Sequence, residues 1–151
     1  MAIRSRARCL LFLPVLISFV LAGQSAASAP VLPNPELHLT GTEPLQQGAK
    51  HFIRYHFDVT NKNQYPDEMF AASPNLPPCG ANNKASRTWI DFYDQGGKRL
   101  NGFCALTKAA DLNQIWFQLE EGVIPPSYVY IELLDRETNT KYKSNLAETS
   151  Q

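Results

Sequence analysis

Between His51 and Val59 apolar and polar positions alternate with period two. His51, Ile53, Tyr55, Phe57 and Val59 share one parity, and Phe52, Arg54, His56, Asp58 and Thr60 share the other. That alternation predicts a half-buried strand with its odd face inward, leaving through the turn-forming run Asn61-Lys62-Asn63-Gln64. The pattern recurs over residues 88–93, 99–106, 114–119, 128–134 and 140–144. Asp94-Gln95-Gly96-Gly97 predicts a tight hairpin between two of these runs, because glycine takes the positive φ such turns require. Asp135-Arg136-Glu137-Thr138-Asn139 joins another pair. Helical periodicity is confined to the short run Thr107–Leu112, and prolines 74, 77, 78, 125 and 126 fall between the strands. About seven short strands separated by turns predict an all-β fold, a two-sheet antiparallel sandwich over residues 36–146.

Strand parity also sorts the aromatic residues. With Ile90, Phe92, Ile115, Phe117, Val129, Ile131 and Leu133 directed to the core, five rings are left on the opposite parity: Trp89, Tyr93, Trp116, Tyr128 and Tyr130. Rings beside carboxylates and amides suit stacking on a sugar or a peptide, so these five are the candidate ligand-binding residues. The competing expectation, and the favoured one, is that the proline-rich stretch 64–87 folds over them and forms a second small core.

Residues 1–27 read as a signal peptide. Arg4, Arg6 and Arg8 precede an apolar stretch, Cys9–Ala22, and a small-residue tail in which Ser25-Ala26-Ala27 predicts cleavage before Ser28. The apolar stretch has 14 residues, interrupted by Pro14, whereas a membrane span needs about 20. No anchor is therefore expected after processing, and the predicted location is the periplasm or the medium. Residues 28–35, with Pro30, Pro33 and Pro35, predict an extended, poorly packed lead-in, and residues 147–151 a disordered tail. Removal of the leader leaves Cys79 and Cys104 as an even pair in an oxidising compartment, which predicts one structural disulfide.

Chemistry is scarce. The leader carries 3 of the 14 basic residues, so the mature chain holds 11 against 14 acidic, a net of −3. A mildly acidic body excludes a protein that neutralises many phosphates, and nucleic acid is not an expected partner. His51 and His56 are five apart and project to opposite faces of one strand, so they predict no shared metal, while His56 stands between Arg54 and Asp58 on the outward face. Asp67, Glu68, Asp91, Asp94, Glu120 and Glu121 are the acidic candidates for calcium or paired-carboxylate hydrolysis, but none lies in a D-x-D-x-D loop. No serine stands in G-x-S-x-G. The reading is a protein with no catalytic residues, no metal and no cofactor.

The runs Tyr55-His56-Phe57-Asp58-Val59-Thr60-Asn61, Trp89-Ile90-Asp91-Phe92-Tyr93-Asp94 and Val129-Tyr130-Ile131-Glu132-Leu133-Leu134-Asp135 resemble fibronectin type III and related immunoglobulin-like bacterial domains. The stretches Pro78-Cys79-Gly80, Gly102-Phe103-Cys104-Ala105-Leu106 and Asp135-Arg136 are also similar to small exported bacterial proteins of no established activity. One departure matters. Cys104 follows Cys79 by only 25 residues, and Gly102 stands where the tyrosine-corner residue would be. The bridge is therefore expected to tie a long loop to a neighbouring strand, and no immunoglobulin-type partner follows. The expected function is an exported, non-catalytic binding or interaction module acting on a protein, peptide or glycan through its outer aromatic face. The alternative is an envelope assembly component that pairs through a sheet edge.

Overall fold

Hydrogen-bond pairing turns the alternating runs into two antiparallel sheets. The computed structural model describes residues 31–78 and 86–150. The strands are β1 (Leu37–Gln47), β2 (Lys50–Val59), β3 (Thr88–Asp94), β4 (Arg99–Phe103), β5 (Ile115–Glu120), β6 (Tyr128–Asp135), β7 (Thr140–Lys143) and β8 (Ala147–Glu148). One sheet has the order β1-β2-β5; the other runs β4-β3-β6-β7, with β8 also paired to β6. The predicted turns form as their residues demand. Gly97 closes the β3–β4 hairpin at φ 85°, and Asp94 Oδ1 accepts from the Gly96 and Lys98 amides at 2.9 Å each. The short helical run becomes a 3₁₀ turn, Ala109–Asn113.

The sequence pattern does not predict β1. Leu37-His38-Leu39-Thr40 alternates, but Gly41 and Pro44 break the run. The fold absorbs both: the β1–β2 register shifts between Leu39 and Gly41, and β1 is an outer strand, where an absent amide proton need not cost a ladder bond.

Aromatic rings from both sheets meet in one core. Phe57 of β2, Phe117 of β5 and Phe92 of β3 are fully buried, with ring centroids 5.3–5.9 Å apart. Tyr55 stacks on Phe117 at 4.8 Å. The inward parity read from the sequence holds for Tyr55, Phe57, Val59, Ile90, Phe92, Ile115, Phe117, Val129, Ile131 and Leu133, all buried. After β2, two 3₁₀ turns, Lys62–Gln64 and Asp67–Phe70, drive Tyr65, Met69 and Phe70 into this same core. These three side chains of the 64–87 stretch are therefore used in the main core and not in a second one over the outward rings; residues 79–85 of the stretch lie outside the described residues.

Both ends of the described residues depart from expectation. Residues 31–36 have no regular structure, yet they are not loosely packed. Asn61 binds them through its side chain, donating to Asn34 O at 2.9 Å and accepting from the Glu36 amide at 3.0 Å. The buried Tyr65 hydroxyl donates to Pro33 O at 2.7 Å, and burial, with Tyr142 and Glu36 nearby, raises its pKa. At the other end, residues 147–149 are no disordered tail. Ala147 and Glu148 form β8 against Val129 and Tyr128, and Thr149 is buried with its hydroxyl on Pro126 O.

A buried ion pair fastens the long connection to the second sheet. Asp135, 3% exposed, accepts from Arg87 Nε at 2.7 Å and Nη2 at 2.5 Å. Thr138 Oγ1 and the Glu137 amide complete its shell. Arg87 also reaches Glu137 at 3.3 Å, which in turn accepts from Ser73 Oγ at 3.0 Å. The Arg87 hydrogen bond is the main reason the Asp135 carboxyl sits at a pKa of about 2; burial opposes it, and Thr138 and Glu137 add to it. Cys104 follows directly on β4 and its carbonyl accepts from the Ser86 amide at 2.9 Å. Cys79 lies outside the described residues, so the predicted pairing stays an expectation at that end.

Candidate functional site

The five candidate rings do lie on the outward parity of their strands, but the fold distributes them over two different sheets. Trp116 belongs to β5 and the β1-β2-β5 sheet; Trp89, Tyr93, Tyr128 and Tyr130 belong to β3 and β6 of the other. On the second sheet, cross-strand pairing sets Tyr93 against Tyr130, and the two rings stack at 5.3 Å and 19°. Lys143 Nζ lies 3.9 Å above the Tyr130 centroid. Tyr130, only 9% exposed, is thereby covered, contrary to the outward exposure expected of it. Parity chose the face correctly, but the neighbours closed over the ring. Trp89 is covered in the same manner by Arg136, whose guanidinium carbon is 3.9 Å from the ring centroid and whose Nη2 donates to Pro77 O at 2.9 Å. Tyr128, 39% exposed, is the most open ring, and its hydroxyl donates to Glu148 at 3.4 Å.

The remainder of that face is a lattice of neutralised charge. Arg99 pairs with Asp91 at 2.7 Å and Lys141 with Glu132 at 3.1 Å. Arg99 lies against Gly102, where a Cβ would meet its Nη2 at 2.1 Å and Asp91 Oδ1 at 2.5 Å. The absence of a side chain at 102 is thus what lets this ion pair lie flat over β4. Burial first, then Asp91 and Glu132, raises the Tyr93 pKa.

Trp116 has different surroundings. Its indole meets Phe103 edge-on at 5.7 Å, and its carbonyl accepts from Asn101 Nδ2 at 2.7 Å, contacts that close β5 against β4. On its ring lies Arg54, 4.1 Å from the centroid, brought there because His56 of β2 pairs with Trp116 of β5 and Arg54 with Gln118. Arg54 Nη2 donates to Gln118 Oε1 at 3.3 Å, a long bond. Its Nε is buried without an acceptor. Gln118 Nε2 continues to Gln47 Oε1 at 3.4 Å.

The other candidates take structural positions. His56 Nε2 is 3.0 Å from Glu43 Oε2. Asp67 accepts from the Ala109 amide at 2.8 Å, bracing one turn against another. Glu120 pairs with Lys50. Asp111 accepts from the Thr107 amide and hydroxyl and the Lys108 amide; burial opposes ionisation there, but these bonds outweigh it and lower the pKa. Among the described residues no three His, Cys, Asp or Glu side chains cluster as a metal site, and no helix is long and apolar enough to cross a membrane. A shallow depression lined by Leu37, Leu39, Asn145 and Leu146 touches none of the five rings.

Sequence reasoning missed the cations. Arg54, Arg136 and Lys143 each cover a ring; Arg54 and Lys143 do so from strands, where register fixes the ring each meets, whereas Arg136 does so from the turn that follows β6, where no parity could signal it. Comparison with family models, curated proteins and solved structures finds no match to this chain.

Proposed function

We propose that this protein is an exported, non-catalytic binding module with an immunoglobulin-like or fibronectin III-like sandwich architecture, held by one disulfide, Cys79 to Cys104. The observation that carries the reading is the half-exposed Trp116 with Arg54 stacked on it, bordered by Gln118 and Gln47. Rings bury area and a fixed guanidinium supplies direction, the combination a recognition surface uses. Tyr93, Tyr128, Tyr130 and Trp89 belong to a separate face whose rings and charges are largely occupied by one another, so Trp116 is the centre of the proposed surface.

Pairing through a sheet edge is the weaker reading. Pro44 and the register shift after Leu39 interrupt β1, and β7 is four residues long with Lys141 and Lys143 on it, all features that discourage strand addition. The β4 and β5 edges are joined through Asn101 and Phe103.

The test is capture from the native envelope and medium with the mature chain and with Trp116→Ala. The expected result is a captured partner that Trp116→Ala loses by about tenfold or more, with the thermal midpoint lowered only slightly because the ring is half-buried. Capture unchanged by Trp116→Ala overturns the proposal. The export and disulfide parts have their own check: intact mass of the secreted protein is expected to correspond to a chain beginning at Ser28 and lighter by two hydrogens. Two thiols that alkylate without denaturant would overturn the bridge.

A further inference from the structure

We infer that the outer face of β1-β2-β5 is a carboxylate-recognition site for an acidic glycan, centred on Arg54; the inference rests on the binding-module reading above and names its ligand class. Charge accounting on this face points to it. Each acidic side chain there already has a partner: Glu120 pairs with Lys50 and Asp58 with Lys62 at 2.7 Å, and Glu43 Oε2 lies 3.0 Å from His56 Nε2. Among the described residues Arg54 has no carboxylate partner, although Glu43 is its direct cross-strand neighbour. Its guanidinium is oriented by the Trp116 ring instead. Among the described residues only Nη2 has a protein acceptor, the long contact to Gln118, and the buried Nε has none. A guanidinium fixed in plane, with its terminal nitrogens unsaturated, is matched in geometry and charge by a carboxylate, which can replace the Gln118 contact with a two-point, charge-assisted one.

The neighbouring groups favour a sugar acid over an acidic peptide. Arg54 lies on the middle strand, flanked on both sides by paired strands, so an extended peptide finds no free main-chain ladder beside it. A sugar needs none. Gln118 and Gln47 offer donors and acceptors to hydroxyls, and the Trp116 edge and the partly buried Phe52 offer apolar contact.

The experiment titrates the mature chain, carrying Trp89→Phe so that Trp116 is the sole tryptophan, with oligogalacturonate, a neutral galactan of equal length, and polyglutamate. Oligogalacturonate is expected to change Trp116 fluorescence and to be the tightest of the three. Affinity is expected to fall about tenfold or more in Arg54→Gln, and equally in Gln118→Glu, which keeps the arginine but supplies it with an internal carboxylate. Unchanged unfolding midpoints in both variants would show that the fold is intact. Equal binding of the galactan, or oligogalacturonate binding that survives both substitutions, overturns the carboxylate assignment while Trp116-dependent capture still stands. Preference for polyglutamate overturns the glycan assignment, and no response to any of the three overturns the site. Failure of the module reading itself shows separately, as capture that Trp116→Ala leaves unchanged.

Discussion

Replacing Asp135 by alanine is expected to destabilise the protein by about 3 kcal/mol, because removing one partner of a buried pair strands the other charge. Arg87 is held from two sides, by Asp135 and by Glu137. Its side chain is 26% exposed, and the Glu137 contact survives the change, which places the effect at the low end for buried pairs. A loss of that size in a domain of this length lowers the midpoint by roughly 10 °C, readable by thermal or urea unfolding. The same pair gives the stability a pH dependence. The folded pKa of Asp135 is about 2 against an ordinary 3.8, a depressed value, so its contribution is fully present above pH 4 and is lost as pH falls toward 2. The difference amounts to about 2 kcal/mol. Asp135→Asn is expected to start less stable at neutral pH and to lose less between pH 4 and pH 2. An acid limb that is identical in Asp135→Asn and in the parent would show that this pair does not govern it.

Phe117→Ala is expected to cost more, about 3–5 kcal/mol, since it removes a fully buried ring and leaves a cavity that the flanking elements cannot fill without moving. Phe117 is 0% exposed and has rings on three sides: Tyr55 at 4.8 Å, Phe57 at 5.7 Å and Phe92 at 5.9 Å. Two of these belong to its own sheet and one to the other, so the deletion weakens both sheets and the seam between them. The neighbouring Trp116→Ala removes a ring of larger volume for a smaller expected loss, because that ring faces out. A chemical-denaturation comparison of the two variants separates parity from size. Equal losses would mean that Trp116 is as much a core residue as Phe117.

That contrast between adjacent residues was legible in the sequence, because it depends only on the period of the strand. The alternation over 51–59, 88–93, 114–119 and 128–134 decided which side chains face the core, with His51 at the exposed start of β2 the exception, and Asp94 to Gly97 decided where one hairpin turns. Backbone geometry makes these local properties, independent of what each strand pairs with. β1 escaped the same reading because Gly41 and Pro44 suppress local strand propensity. Pairing with β2, and the outer position where an absent N–H need cost nothing, make β1 a strand; both are properties of the sheet. Tyr65, Met69 and Phe70 carried no period to reveal that they complete the main core, and Ala147 gave no sign that it would pair with Val129. The candidate site divides in the same way. Outward parity placed Trp116 and Arg54 on solvent faces of their strands, but they are 62 positions apart, and only the β2–β5 register lays the guanidinium on the indole. Which charges remain unpaired is likewise settled by side chains from three strands competing for partners. No local pattern encodes that competition, so tertiary structure alone leaves Arg54 without a carboxylate among the described residues.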